Sequence, residues 1–468
     1  MTWPKYDRHA LTAGVVHLGV GNFHRAHMGV YFDRLAASGH TDWAILGAGI
    51  MPGDAQMRDR LLAQDCLTTV VDLDAGALTA RVTGAMIDFL PVVPAAIIAA
   101  MSDPAIRIVT LSVTEGGYFL DSSRRFDTQR AEVQHDASNP NDPQTVFGII
   151  LAALRARRAA GHSPFTILSC DNLLGNGEVV RAAVTGLAAL SDPGFAEWIR
   201  QNVSFPNAMV DCITPATTER ERARVRDHFG IDDSVPVVCE PFRQWVIEDH
   251  FPAGRPPLEK VGVEFVEDIT LHELMKLRLL NASHVSMAAA SMLLGHEFVH
   301  AAMADPLVQR WLEALQTREI IPTLPGGTGT VYSDYLGSVF TRFANPAVGD
   351  TIARLAADST ERQENFILPI LRDALSAGPQ HDGLCLEIAL WARFLEGKDE
   401  AGRVMTIEDT RRPVTAPDMQ HPAPDTPAVL ASIGADPIIA DKVTYWRSML
   451  AEQGVRRTLS HYIDRDVS

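Results

Sequence analysis

Close to its start the chain runs from "GVVHLGVG" straight into "FHRAHMGVYFDRLAASG". The first stretch is apolar enough for a strand buried on both faces, and in the second Phe23, Ala26, Val30, Phe32 and Leu35 recur at roughly helical spacing. Strand, tight glycine turn and helix, in that order, open a layered α/β fold. "WAIL", "TTVVD", "RIVTLSV" and "FTILS" read as further strands, several of them almost continuous in apolar and β-branched residues. Between the last two, "QTVFGIILAALRARRAAG" is a helix that ends in basic residues and Gly161, its "RARR" being a solvated end. The alternation predicts a doubly wound sheet. After "VGVEFVED" helical periodicity takes over, starting at the capping-box pair Thr270 and Glu273. The chain is therefore expected to form an α/β domain over 1–268 and a mainly α-helical domain over 269–468.

Charge and cysteine usage narrow the function. Forty-one Lys plus Arg against 58 Asp plus Glu give a net charge of −17, which repels polyphosphate and argues against a nucleic-acid partner. A small neutral substrate suits it better. The five cysteines, Cys66, Cys170, Cys212, Cys239 and Cys385, lie far apart and are odd in number, as expected in the reducing cytoplasm. The longest apolar stretch, "LPVVPAAIIAAM", carries two prolines and falls short of the roughly 20 residues of a membrane span. No secretory signal is read at the start.

Gly19, Val20 and Gly21 give G-x-G directly after the first strand, with His24 where a third glycine is usual. Two glycines allow a tight turn and a close approach of pyrophosphate to a helix N-terminus, while the third serves mainly close packing of helix on strand. Asp54, in "GAGIMPGD", is the candidate carboxylate for ribose hydroxyls, with a helix cap as its plainer reading. Asn172 in "SCDNLLGNG" follows a strand, where ligands of open α/β sheets collect; Asp211 in "NAMVDCITP" is similar, and either could be a turn former. Lys276, Asn281 and His284 share one helix. At 100° per residue Asn281 lies about 140° and His284 about 80° round from Lys276, so all three fit one broad face. "HEFVH" has the H-E-x-x-H spacing, which on a helix sets His296 and His300 on one face with Glu297 beside them, as in zinc peptidases; Glu313 or Glu319 would have to complete the site.

Taken together, "HLGVGNFHRAH", "TEGGYF", "SCDN", "SFPNAMVD" and K-x-x-x-x-N-x-x-H resemble the long-chain polyol dehydrogenases of the mannitol 2-dehydrogenase family, over nearly the whole chain. The resemblance implies a Rossmann-like first domain and metal-free, NAD-dependent oxidation of a secondary alcohol of a linear polyol such as D-mannitol, D-arabinitol or D-sorbitol. It implies Lys276 as general base, Asn172 and Asn281 as donors to the reacting oxygen, and Glu273 on the proton's route to solvent. His284, Asp211, Arg354 and Arg362 would meet the substrate, and Gly19, Val20, Gly21, Asn22, Phe23, Asp54 and Glu115 the cofactor. A monomer is compatible with it. Two positions depart from the pattern: Cys212 stands where arginine is common, and Arg362 where lysine is. A hexuronate reductase of the same family is the near alternative, with Arg354 and Arg362 meeting a carboxylate. A zinc peptidase and a non-catalytic nucleotide-binding module are the distant ones.

Overall fold

The computed structural model describes residues 1–121, 125–326, 330–378, 381–409 and 426–465. The chain divides into two units, Met1–Thr270 and Leu271–Ser468. In chain order the strands are β1 (Ala13–Leu18), β2 (Ala44–Ala48), β3 (Thr68–Leu73), β4 (Leu78–Thr83), β5 (Met86–Phe89), β6 (Ile108–Leu111), β7 (Thr166–Ser169), β8 (Ala208–Asp211), β9 (Val237–Cys239), β10 (Gln244–Glu248) and β11 (Glu264–Val266).

Five of them form a parallel sheet in the order β5-β2-β1-β6-β7. Successive side chains of a strand point to opposite faces. Val15 accordingly packs with Ile45, Ile108 and Leu168 in one core, while Val16 packs with Val109, Ile167 and the helix Val146–Ala159 in another. Both faces are covered, which is why these strands read as unbroken apolar runs. This is the Rossmann-like doubly wound sheet.

Three local expectations change. β3, read as one more strand of the alternation, sits in a separate sheet ordered β4-β3-β9, because the short link through Asp74 and Gly76 turns it back antiparallel on β4. The helix after the glycine turn is two helices, Asn22–Ala26 and Met28–Ala37, broken at His27 (φ −109°, ψ −83°), whose Nε2 meets the Gln244 carbonyl at 2.8 Å. "RARR" is not wholly solvated either. Arg157 is buried and donates to the carbonyls of Met101, Asp103, Ile106 and Ser163.

The second unit is mainly helical. Thr270 is the first residue of the helix Thr270–Met275, and Asp268 accepts its N–H and hydroxyl at 2.9 and 2.6 Å. Three helices contain π-turns, at Lys276–Asn281, Gln316–Ile320 and Gln363–Ile367. Gln363 donates to Glu387 Oε1 at 2.7 Å, and Glu387 Oε2 has no partner. Burial pushes this carboxyl from 4.5 up to about 8, the Gln363 bond opposing the shift. Between those two values the unfolded chain releases a proton that the folded chain keeps, so stability falls as pH rises through that window. Melting temperatures followed across that window should show this slope, and Glu387→Gln should flatten it; an equal slope in both proteins would refute the assignment.

Candidate active site

The chain leaves β1 through Gly19, whose φ is +99°; a Cβ built there would lie 2.0 Å from the Ser112 carbonyl oxygen. Only glycine fits. Gly21 is extended (φ −89°, ψ −172°) and precedes the helix Asn22–Ala26, and a Cβ on it would meet nothing within 4 Å. The loop thus has one glycine forced by packing and one that leaves open space ahead of helix N–H groups, a shape that accepts a phosphate. Val20 is buried against Gly47.

Below this loop lies a set of polar side chains that sequence reading did not assign. His17 Nε2 meets the Gly19 carbonyl at 2.9 Å and Nδ1 meets Thr110 Oγ1 at 2.8 Å. Burial lowers its pKa to about 3, the Gly19 bond opposing this, so the ring is neutral; Nε2–H donates to the carbonyl and the Thr110 hydroxyl donates to Nδ1. His24, at the third glycine position, stacks on His17 with centroids 3.6 Å apart. A ring stack thus replaces the usual glycine contact between helix and strand. Arg25 donates to the Gly21 and Val235 carbonyls and to Asn22 Oδ1. Burial brings it down to about 10, with Asp233 opposing, which leaves it cationic at neutral pH under an anion-accepting loop. Asn22 also donates to Thr217 at 3.3 Å, and Phe23 stacks on His27.

Asp54 opens the helix Asp54–Ala63, and its Oδ2 accepts the Met51 N–H at 2.8 Å. Its Cβ lies 2.4 Å from where a Gly49 Cβ would be, so the glycine of "GAG" lets the carboxylate fold close. The N-cap of this helix is Gly53, so the carboxylate closes the turn ahead of the helix, and its second oxygen stays available to a ligand. In "SCDN", Asp171 is the anchor. It accepts from the N–H groups of Val113 and Thr114 and from Tyr118 OH, at 2.9, 3.1 and 2.6 Å, and burial raises its pKa against those bonds. The carboxylate holds the "TEGGYF" loop, including Thr114 at φ +64°, a strained value for a non-glycine. The side chain of Glu115 lies outside the described residues. Asn172 is exposed beyond the carboxyl end of β7. Asn176 bonds both Asp171 O and the Ala208 backbone, tying that loop to β8, whose last residue is the buried Asp211.

In the second unit Glu273 is buried in the helix Thr270–Met275, and Lys276, 7% exposed, starts the π-turn that Asn281 ends. The turn is closed by the Ala282 N–H on the Leu277 carbonyl, five residues back. In such a turn a residue and the fifth after it lie nearly above one another. Asn281 is therefore brought towards the face of Lys276, not left about 140° away as in an α-helix. His284 follows in the helix Ala282–Leu294, buried and stacked on Phe343 at 4.1 Å. Its pKa is held well below normal, first by burial and then by Arg354, Arg342 and Arg362. Among the described residues, His284 Nε2 and Asn281 Oδ1 are buried polar atoms with no partner. Such groups call for a polar ligand. Arg354 lies bidentate on Asp350 at 2.6 and 2.5 Å, and Arg362 donates to the Ala357 carbonyl at 2.9 Å.

"HEFVH" does not form one helix face. Gly295 (φ +80°) ends the helix before it, Phe298 is extended and pairs with Thr351, and a new helix starts at Val299. His296 rests on Asp305 at 3.2 Å, beside Arg456. The spacing that suggested a zinc peptidase is split by a turn.

Residues 13–260 match the mannitol dehydrogenase Rossmann domain, and residues 268–441 match the mannitol dehydrogenase C-terminal domain. The chain belongs to the mannitol dehydrogenase family. This mannitol dehydrogenase family member is 53% identical over 431 residues to mannitol 2-dehydrogenase of Cereibacter sphaeroides, covering 92% of this chain and 90% of that one. It is 38% identical to mannitol 2-dehydrogenase of Pyricularia oryzae, over 98% of this chain and 95% of that one. A Pseudomonas fluorescens mannitol 2-dehydrogenase, solved as a ternary complex with NAD and D-mannitol, superposes with a TM-score of 0.90 at 39% identity, covering 99% of this chain and 97% of that one. A D-sorbitol dehydrogenase in substrate-free form gives 0.86 at 37% identity, over 98% and 97%.

Within this family member the Cys212 departure has a local setting. Cys212 is buried in one cluster with Cys239, and Arg243 binds Cys239 Sγ, Asp72 and the Ala26 carbonyl. A guanidinium is thus supplied to this region from β10's side of the chain, by Arg243. All five cysteines are buried free thiols. Among the described residues, no helix is long and apolar enough to cross a membrane.

Proposed function

We propose that this chain oxidises a secondary alcohol of a linear polyol of the D-mannitol, D-arabinitol or D-sorbitol type to the ketose, reversibly and with NAD. The observation that carries the reading is the pair of unpartnered buried atoms, Asn281 Oδ1 and His284 Nε2, on the same helix as the buried Lys276. Hydroxyl groups, which donate and accept, satisfy both. Lys276, as a neutral amine, takes the proton of the reacting hydroxyl, and Glu273, three residues before it, passes that proton towards solvent. The amide N–H of Asn281 donates to the oxygen as negative charge builds on it. His284 holds a neighbouring hydroxyl, with Arg354 and Arg362 beyond it. NAD, bound at residues 19–23 with Asp54 at its adenosine ribose and Glu115 among its contacts, would supply the acceptor for the hydride that leaves the carbinol carbon.

Arg354 supports a neutral substrate over a hexonate, since Asp350 already balances its charge with two bonds. Buried free thiols suit the reducing cytoplasm. The reading is tested by following reduced cofactor with a panel of polyols and hexonates, each with NAD and NADP; turnover with hexonates alone, or with none of the polyols, would sink it.

Asp54 should set the cofactor choice, because a carboxylate accepts from ribose hydroxyls and repels a 2′-phosphate. Asp54→Asn keeps an oxygen for the Met51 N–H and removes only the charge. It should leave the melting temperature unchanged while weakening NAD and narrowing the gap to NADP. An unaltered NAD-to-NADP ratio would reduce Asp54 to closing the turn at Met51.

A further inference from the structure

The π-turn at Lys276–Asn281 raises a question of what holds it, because an α-helix would make better hydrogen bonds over the same residues. Its last bond runs from Ala282 N–H to the Leu277 carbonyl. The α-helix that resumes counts back four, so Ser283 reaches Leu279 and the Arg278 carbonyl is passed over. A buried carbonyl left without a donor is costly. Here it has one. Gln316 Nε2 donates to the Arg278 carbonyl at 3.1 Å and to Ser283 Oγ at 2.8 Å, bridging the point where the π-turn returns to α. Gln316 is fully buried and sits at the start of the second π-turn, Gln316–Ile320. The Arg278 side chain is tied down as well, by Thr323 O at 2.7 Å, Thr323 Oγ1 at 2.5 Å and Asp373. The middle of the π-turn is therefore gripped at both its main chain and its side chain by neighbouring segments of the same unit.

We propose that Gln316 is a positioning residue for the reaction, holding the helix in the π register that aligns Lys276 with Asn281. The inference rests on the proposed roles of those two residues. Without the amide, the register in which no carbonyl is passed over becomes the better one. Rewinding to α then turns Lys276 about 100°, one residue, relative to Asn281 and His284. The base and the hydrogen-bond donor would no longer face one oxygen. Gln316 itself touches neither substrate nor cofactor in this scheme.

The test uses Gln316→Met, which keeps the length of the side chain and removes the donor, and Gln316→Asn, which keeps the amide but falls one methylene short. Either serves if the other does not fold. Three readouts are taken on the full chain: kcat and KM for the best polyol as a function of pH, the Kd for NAD, and hydrogen exchange over peptides spanning 276–287. The expected result is a kcat lower by at least about 10²-fold, the lower scale for a lost general base, with a displaced pH profile, faster exchange at the junction and an unchanged Kd for NAD. Ser283→Ala, which removes only the second acceptor, should keep the parent rate and profile. A parent-like kcat and pH profile in the Gln316 variants, or a lost rate with unchanged exchange over 276–287, overturns the proposal. Failure of the underlying reading looks different. Lys276→Met would then turn over at the parent rate, while the exchange data would still report whether Gln316 holds the turn.

Discussion

Lys276→Met should fold, bind NAD and oxidise its best polyol at least about 10²-fold more slowly than the parent, the lower scale for a lost general base. Folding should survive because methionine preserves most of the buried stem of a lysine that is only 7% exposed. Cofactor binding should survive because the glycine loop belongs to the other unit, Met1–Thr270. A general base works only in its deprotonated form, so in the parent oxidation should rise with pH along a single limb. That limb should vanish from the variant's profile. A primary amine added to the assay should restore part of the rate by entering the vacated space. A folded variant with parent-like turnover and profile would remove Lys276 from the mechanism, and the roles given to Asn281 and His284 would go with it.

What could be read from sequence follows the physics of burial. β1, β2, β6 and β7 were legible because helices cover both faces of their sheet, so their residues form unbroken apolar runs. β8 to β11 lie outside that sheet, in the two three-stranded ones. β8 pairs with β10, Gln244 opposite Asp211, a partner far along the chain. The same holds for the polar supports of the site. Arg25 reaches Val235, 210 residues away, and His17 reaches Thr110, so neither motif discloses its role locally. The π-turns were invisible for another reason. An inserted residue changes no composition, and counting 100° per residue sets Asn281 away from Lys276 when the wider turn brings them together. "HEFVH" erred in the opposite direction: the spacing is right for a helix, but Gly295 at φ +80° has already ended it.

Gly21→Ala should fold with only a small loss of stability and yet bind NAD roughly 10- to 10²-fold more weakly, whereas Gly19→Ala should lose far more stability. The two glycines stand two residues apart and differ in what a methyl group would meet. At Gly19 it would lie 2.0 Å from the Ser112 carbonyl, at a φ of +99° that alanine tolerates badly, so β1 and the chain after β6 would have to separate. At Gly21 it would meet nothing within 4 Å, on extended backbone that any residue adopts. Gly21 is the N-cap of the helix Asn22–Ala26, and alanine is a poorer cap than glycine by roughly 0.5–1 kcal/mol, a small loss beside the clash at Gly19. The methyl group would instead occupy the space through which pyrophosphate approaches the helix N–H groups. Forcing an extra methyl into a fitted site costs about 1–3 kcal/mol, and every 1.4 kcal/mol is about tenfold in affinity. Melting temperature and NAD titration on the two variants separate the cases. Should Gly21→Ala bind NAD with the parent affinity, the space above Gly21 is plain solvent, and the phosphates must lie elsewhere on the carboxyl edge of the sheet.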